Sequence, residues 1–382
     1  MSREVYINDI QAFLPNEAVD NSEIEAVLGQ VGSRPSRAKR LILRSNKIKA
    51  RYYAIDKVNR KATHSNAQIA SEAIRKLQSS ERDLNSIELL ACGTTMPDQL
   101  MPNHALMVHG ELNIPPCEVI ATAGICLSGT MSLKYGYMSI LSGQSTNAVA
   151  TGSENASAIM RAENFKGEME SSLSNLEQQP EIAFEKDFLR WMLSDGGGAV
   201  WMSAQPNSEA ISLKVEWIIQ KSYANEQDAC MYAGAEKMDD GSLKGWREYT
   251  TQDWSEHSIM SVKQDVKQLN ENIVEYTVTR PLRELVASKK LLPESIDYFL
   301  PHYSSGYFRD RLYAGMKAAE CDIPQEKWFT NLTSKGNTGS ASIYIILEEL
   351  FHSGRLKAGD KLLCYIPESG RFSTAFMQLE VV

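Results

Sequence analysis

No apolar run in this chain approaches the roughly 20 residues that a membrane-spanning helix needs. The first residues, Met1-Ser-Arg-Glu-Val-Tyr-Ile, carry charge where a signal peptide has its apolar stretch. Both absences point to a soluble cytoplasmic protein with no membrane span. No CxxC pair and no metal-like spacing occurs among the six cysteines, at 92, 117, 126, 230, 321 and 364, and the six histidines include no HExxH. Cysteines scattered in this way are expected to be reduced thiols, several of them buried, and no zinc or haem site is expected. Positive charge is also in deficit: 40 Lys and Arg stand against 48 Asp and Glu, a formal net charge of −8, which argues against nucleic acid as a general partner.

What is present is an ordinary globular composition, 43% hydrophobic over 382 residues, enough for one large core or two smaller ones. One stretch runs against the net charge. Arg34, Arg37, Lys39, Arg40, Arg44, Lys47, Lys49 and Arg51 follow one another with no acidic residue between them. Such a patch suits a phosphate-bearing cofactor or an acidic partner, with Arg44, Lys47 and Arg51 as the candidate contacts; a solvated face is the plainer alternative.

The chain also repeats itself. Ile87-Glu-Leu-Leu-Ala-Cys-Gly and Ile296-Asp-Tyr-Phe-Leu-Pro-His are short apolar runs led by an Ile-acid pair, and both read as buried strands. Each is followed by an Ile-Pro pair, Ile114-Pro115 and Ile323-Pro324, and the offset is 209 residues in both comparisons (296 − 87 and 323 − 114). Cys126 opens an amphipathic stretch ending in Ser142-Gly143, and Asn337 opens another ending at the same spacing in Ser353-Gly354. Gly after a helical pattern is a common stop. A strand-like run follows each: Asn147-Ala-Val-Ala-Thr and Lys361-Leu-Leu-Cys-Tyr-Ile.

Helix, strand, helix, strand, buried helix, strand is thus the order in both halves, taken as 1–205 and 206–382. Alternating strands and helices predict an α/β protein with a mostly parallel sheet covered on both faces. A polar, Glu-rich insertion at about 155–194 has no counterpart in the second half and reads as a surface excursion, a lid or a subunit contact. A second excursion, Asn225 to His257, holds Trp246, Tyr249 and Trp254 and reads as a cap or interface segment.

Three residues stand out for chemistry. Cys126 lies in Ala121-Thr-Ala-Gly-Ile-Cys-Leu-Ser-Gly-Thr130, a strand-turn-helix context in which the helix dipole is expected to lower the thiol pKa. Taken alone, a lone cysteine is more often inert core. His302 ends a predicted buried strand, where α/β sites assemble. Asn337 lies in a Gly-rich turn entering a helix, and by itself reads as an N-cap. The repeat places Asn337 within two residues of the counterpart of Cys126, so a two-fold arrangement brings both helix starts toward one centre.

Ala-Gly-Ile-Cys-Leu-Ser-Gly, Leu300-Pro-His302, Gly336-Asn-Thr-Gly-Ser-Ala-Ser342 and Ser194-Asp-Gly-Gly-Gly-Ala-Val200 resemble, in order and over nearly the whole chain, the landmarks of β-ketoacyl-acyl-carrier-protein synthase III. The resemblance implies a thiolase fold, duplicated βαβαβ halves in a five-layered αβαβα arrangement. It also implies a Cys126–His302–Asn337 triad, backbone oxyanion contacts at Cys126 and at Ser369 or Gly370, and a homodimer. The substrates it implies are acyl-CoA or acyl-carrier-protein thioesters, with no permanently bound cofactor and no metal.

The departures carry information. Cys126-Leu-Ser-Gly replaces the Cys-Ala-Gly of the initiating members, and His302-Tyr-Ser-Ser replaces their His-Gln-Ala-Asn. The terminal loop, Pro367-Glu-Ser-Gly-Arg-Phe372, adds Glu368 and Arg371. These features are more similar to the ketosynthases of dialkylresorcinol, flexirubin and aryl-polyene pigment formation, the DarB type. Those enzymes use a β-ketoacyl thioester as the second substrate and then close a ring. For Glu368 a role as base in that closure competes with a salt bridge to Arg371 or a basic neighbour, the preferred expectation. An acyltransferase without condensation fits the same triad. A catalytically silent subunit of a heterodimeric synthase is the remaining alternative, although it has no need of all three residues.

Overall fold

The computed structural model describes residues 3–31, 39–165 and 189–382. Its centre is a nine-stranded sheet of β1 (Tyr6–Phe13), β2 (Leu89–Thr94), β3 (Glu118–Ala123), β4 (Asn147–Glu154), β5 (Gly196–Ser203), β6 (Leu213–Ser222), β7 (Tyr298–Pro301), β8 (Lys361–Glu368) and β9 (Ser373–Val381). The helices that matter here are α1 (Lys39–Asn46), α2 (Asn66–Arg75), α3 (His104–Leu112), α4 (Leu127–Ser142), α5 (Val266–Val274), α6 (Arg280–Ala287), α7 (Arg309–Ala318) and α8 (Ser342–Phe351). None of the described helices is long and apolar enough to cross a membrane.

The strand order is β7-β8-β9-β6-β1-β5-β4-β2-β3, and the two ends of that order mirror each other. In the first half β1 is antiparallel to β5, β5 antiparallel to β4, and β4, β2 and β3 run parallel. In the second half β6 is antiparallel to β9, β9 antiparallel to β8, and β8 runs parallel to β7. The fifth strand of the second half shrinks to one parallel bridge, Phe299 to Trp328. Within the sheet the halves join along the short ladder Tyr6–Lys214 and Ile7–Leu213.

Side chains alternate across a strand, and that alternation builds the layers. Leu89 and Ala91 of β2 join Leu362, Cys364 and Ile366 of β8 in one core, together with Leu133 and Ile140 of α4 and Ile343, Tyr344 and Leu347 of α8. The intervening Leu90 and Cys92 face α2 and α3. Leu363 and Tyr365 face a third core built on α5, α6 and α7. The result is helices, half-sheet, central helices, half-sheet, helices: five layers, as in the thiolase fold.

In the central layer, the start of α4 and the turn before α8 approach very closely. A Cβ on Gly129 would lie 2.2 Å from the Ser340 carbonyl oxygen, and one on Gly152 at 2.3 Å from the same atom. The Tyr344 hydroxyl, fully buried, donates to the Gly129 carbonyl at 2.7 Å. Gly129→Ala is therefore expected to cost about 3 kcal/mol in urea denaturation, since the Ser340 backbone has to move. The exposed helical Gly110, with nothing within 4 Å of its absent Cβ, is the control; Gly110→Ala is expected to gain roughly 0.5–1 kcal/mol.

Candidate active site

β3 ends in Ala123, and the turn Gly124-Ile125 delivers Cys126 as the residue immediately before α4. The helix runs to Ser142 and stops at Gly143 with φ +80°. His302 follows β7 directly, and its backbone N–H donates to the Tyr365 carbonyl of β8 at 2.9 Å. Asn337 is tied to a distant segment: its N–H donates to the Met192 carbonyl at 3.0 Å and its carbonyl accepts from Ser194 N–H at 2.8 Å. Its side-chain Oδ1 accepts from Gly339 N–H at 3.0 Å, which leaves the amide NH2 as the group to offer a ligand. Asn337 is not a helix N-cap, because a short turn, Gly339–Ala341, intervenes before α8.

Cys126, His302 and Asn337 line one cavity of about 650 Å³, open mouth included, whose walls carry Met192, Leu269, Ile273, Val278, Phe308 and Leu312. A second apolar cavity of about 550 Å³ also opens on Cys126 and Asn337, between Met96, Ile125, Ile159, Leu193 and Val262. Met231 and Val262, just inside and just beyond the 225–257 excursion, reach these walls. The 155–194 insertion divides in two. Residues 166–188 lie outside the described residues, whereas Leu189, Met192 and Leu193 are cavity wall and not surface.

Burial dominates the electrostatics. It pushes His302 down to about 4, so the imidazole is neutral at physiological pH. The expectation for Cys126 is reversed. Its thiol is raised well above the ordinary thiol range, first by burial, then by the charges of Glu368 and Glu154. Both carboxylates come from strand ends distant in sequence, and burial with their like charge added sets the direction opposite to the one the helix-start context suggested.

Glu368 makes neither of the pairs expected of it. Its Oε2 accepts from the Ile125 N–H at 2.8 Å and the Leu127 N–H at 3.1 Å. Arg371 turns instead to the Gln227 carbonyl at 3.0 Å. Its neighbours Pro367 and Ser369 line the first cavity; Ser369 Oγ accepts from Gln264 Nε2 at 2.9 Å. Gly370 is buried, and its carbonyl accepts from the Cys230 N–H at 2.8 Å.

The basic stretch does not act as one patch. Arg51 is fully buried; it donates to Asn21 Oδ1 at 2.8 Å and to the Trp191 carbonyl at 3.0 Å, so it is a structural tie and not a cofactor contact. Lys39 pairs with Glu25 at 2.7 Å. Arg44 and Lys47 are exposed, and α1 packs on the 306–308 turn beside the first cavity, with the Lys47 stem against Gly306. Arg34 and Arg37 lie outside the described residues.

Sequence reasoning missed Glu154. It ends β4, lines the second cavity, and accepts from Thr95 N–H at 3.2 Å, Thr95 Oγ1 and Ser340 N–H at 3.0 Å. The signal available was a carboxylate closing an otherwise uncharged strand at the end where sites assemble.

Comparison with known proteins follows from this geometry. Residues 286–366 match the family model for the 3-oxoacyl-[acyl-carrier-protein (ACP)] synthase III C terminal. A β-ketoacyl-[acyl-carrier-protein] synthase III of Clostridium perfringens is 24% identical over 317 residues, 83% of each chain. The chain is thus similar to ketosynthase III proteins over most of its length, and its fold is that of the thiolase superfamily. Its fold is shared with a tetronic acid condensing enzyme, AbyA1 (TM-score 0.74, 18% identity, 98% of this chain and 99% of that one). It is also shared with a Xanthomonas campestris OleA variant solved with lauric acid and lauroyl-CoA (TM-score 0.71, 19% identity, all of both chains).

Burial raises Glu154 from the ordinary 4.5 to about 7, against the pull of its Thr95 and Ser340 hydrogen bonds. Between those values the native state holds a proton that the unfolded chain has lost, so this group's contribution to stability falls as pH rises through the window. Glu154→Gln is therefore expected to gain roughly 2 kcal/mol on wild type between pH 4.5 and 8 in urea denaturation. A difference constant across that range would mean that the carboxyl titrates normally.

Proposed function

We propose that this chain is an acyl-thioester condensing enzyme in which Cys126 carries the acyl group. The observation that supports this reading best is the convergence of Cys126, His302 and Asn337, from three separate elements, on one apolar cavity. In the first stage Cys126 Sγ attacks the thioester carbonyl and the neutral His302 takes its proton. The tetrahedral intermediate collapses, the C–S bond to the leaving thiol breaks, and that thiol takes the proton back. The acyl group is now on Cys126. The Cys126 backbone N–H and an N–H of Ser369 or Gly370 hold the oxyanion in this stage.

In the second stage a malonyl thioester loses CO2, or a β-ketoacyl thioester gives up its α proton; the resulting carbanion attacks the acyl carbonyl, the carbon–carbon bond forms as the C–Sγ bond breaks, and the departing Cys126 thiolate takes up a proton. The enolate oxygen needs donors as charge develops. A neutral His302 Nε2–H and the Asn337 NH2, its orientation set by Gly339, are suited to supply them. No step in this scheme calls for a bound metal or redox group. Arg44 and Lys47, exposed beside the first cavity, are placed to meet the phosphates of coenzyme A or an acidic carrier protein.

The finer assignment is condensation of an acyl group with a β-ketoacyl thioester, as in dialkylresorcinol and aryl-polyene pigment formation. Two apolar cavities meeting at Cys126 support it, because each is suited to one hydrocarbon chain. Strand β3 pairs with β2 alone among the described residues and is only partly covered. That open edge is the surface we assign to a second copy in a homodimer.

Intact mass spectrometry of wild type and Cys126→Ala, after incubation with acyl-CoA and acyl-carrier thioesters of graded length, tests the reading. An adduct equal to the acyl mass is expected on wild type alone. His302→Ala and Asn337→Ala are expected to retain that adduct, with slower formation for His302→Ala, and to lose carbon–carbon bond formation by a factor of 100 or more, on the order expected for lost oxyanion donors. Acylation followed by ester or amide release would favour simple acyl transfer, and an unmodified wild type would favour the silent subunit.

A further inference from the structure

Glu368 is the feature that the proposed reaction leaves unused, and the structure gives it an unusual position. Its Oε2 spans the turn that presents the nucleophile, accepting from the residues on either side of Cys126 across 243 and 241 positions of sequence. Alternation along the strand places Pro367 and Ser369 on the cavity and Glu368 on the elbow, where a Cβ on Gly124 would lie 3.3 Å from its Oε2. Among the described residues no ion pair involves this carboxylate. Its charge is met by the N–H dipoles at the start of α4, the same dipoles that would otherwise favour a thiolate at Cys126.

We propose that Glu368 is a positioning residue: its carboxylate clamps the two amides flanking Cys126, fixes the turn that presents the sulphur, and opposes ionisation of that sulphur until substrate is bound. This rests on the reading of Cys126 as nucleophile. The resting enzyme then carries a neutral thiol in a largely apolar cavity. The nucleophile forms only as its proton passes to His302 during attack on a bound thioester, so stray electrophiles and oxidants meet a poorly reactive sulphur.

The other groups facing the thiol agree in sign. Glu154 on β4 adds to the rise of the thiol once it is ionised, and burial raises its own pKa to about 7. His302 after β7 is held neutral by burial. Tyr365 on β8 is raised by burial and is a neutral phenol, with its hydroxyl bonded to Thr277. Arg371 beyond the loop is directed to Gln227.

The test is the pH dependence of Cys126 alkylation by iodoacetamide, followed by peptide mass so that the partly exposed Cys117 is read separately. In wild type the midpoint is expected above that of glutathione measured in the same buffer; a midpoint below it overturns the proposal without any variant. Glu368→Gln keeps an acceptor for both amides and removes the charge. Its midpoint is expected about one pH unit lower, with alkylation at neutral pH roughly tenfold faster. Glu368→Ala is expected to shift the midpoint similarly and also to slow acyl loading, because the clamp is lost. An unchanged midpoint in a folded Glu368→Gln would reduce Glu368 to a helix cap. Alkylation reads the thiol whether or not acyl-CoA loads it, so a failure of acyl loading would count against the proposed function and leave this result standing.

Discussion

Everything at the site depends on how closely the two central helices approach. The Ser340 carbonyl sits where Gly129 and Gly152 have no side chain, and Ser340 Oγ donates to the Ser153 carbonyl at 3.0 Å. This contact joins the start of α4, the end of β4 and the turn before α8 in one small volume. Cys126 precedes that start, Glu154 ends that strand and Asn337 opens that turn, so a single steric constraint sets their mutual geometry. Larger residues at either glycine would push the halves apart and separate Cys126 from Asn337.

The same closeness explains the electrostatics. Packing that excludes water neutralises His302 and raises Glu154 and the Cys126 thiol together. A neutral imidazole is useful because it can first accept a proton and then donate a hydrogen bond to an enolate. A neutral thiol is useful for a different reason, since it confines reactivity to the moment when a thioester lies beside His302. Desolvation alone would achieve part of this. Glu368 at the elbow adds like charge to the effect of burial.

How much of this could be read from the sequence follows from where each signal lies. His302 and Asn337 were legible because short motifs surround them and because the repeat made their positions related. The two-half organisation was legible because apolar runs and glycine stops recur at one offset. The mostly parallel sheet expected from strand–helix alternation does not form: five of the eight pairings in the large sheet are antiparallel, and the five layers followed from the resemblance. The sign of the Cys126 shift was not legible, since it comes from burial and from residues 154 and 368, which nothing local connects to position 126. Arg51 was misread for a related reason. A run of positive charge is a one-dimensional average, and pairing of Val19 with Arg51 on a short ladder carries that side chain inside to Asn21 and the Trp191 carbonyl while Arg44 stays in solvent.

The repeat finally accounts for why the site is asymmetric. The first half keeps a full β3, whose end forms the elbow bearing Cys126. In the second half the corresponding strand is reduced to the bridge at Trp328, and the chain reaches Asn337 through a Gly-rich turn instead of a helix start. A helix start orients N–H groups and suits an acyl oxyanion, whereas the turn frees a side-chain amide. The two halves thus place two related positions near the centre in different local settings, which suits the different roles proposed for Cys126 and Asn337. A symmetric pair of helix starts would have offered two oxyanion sites and no partner for an enolate.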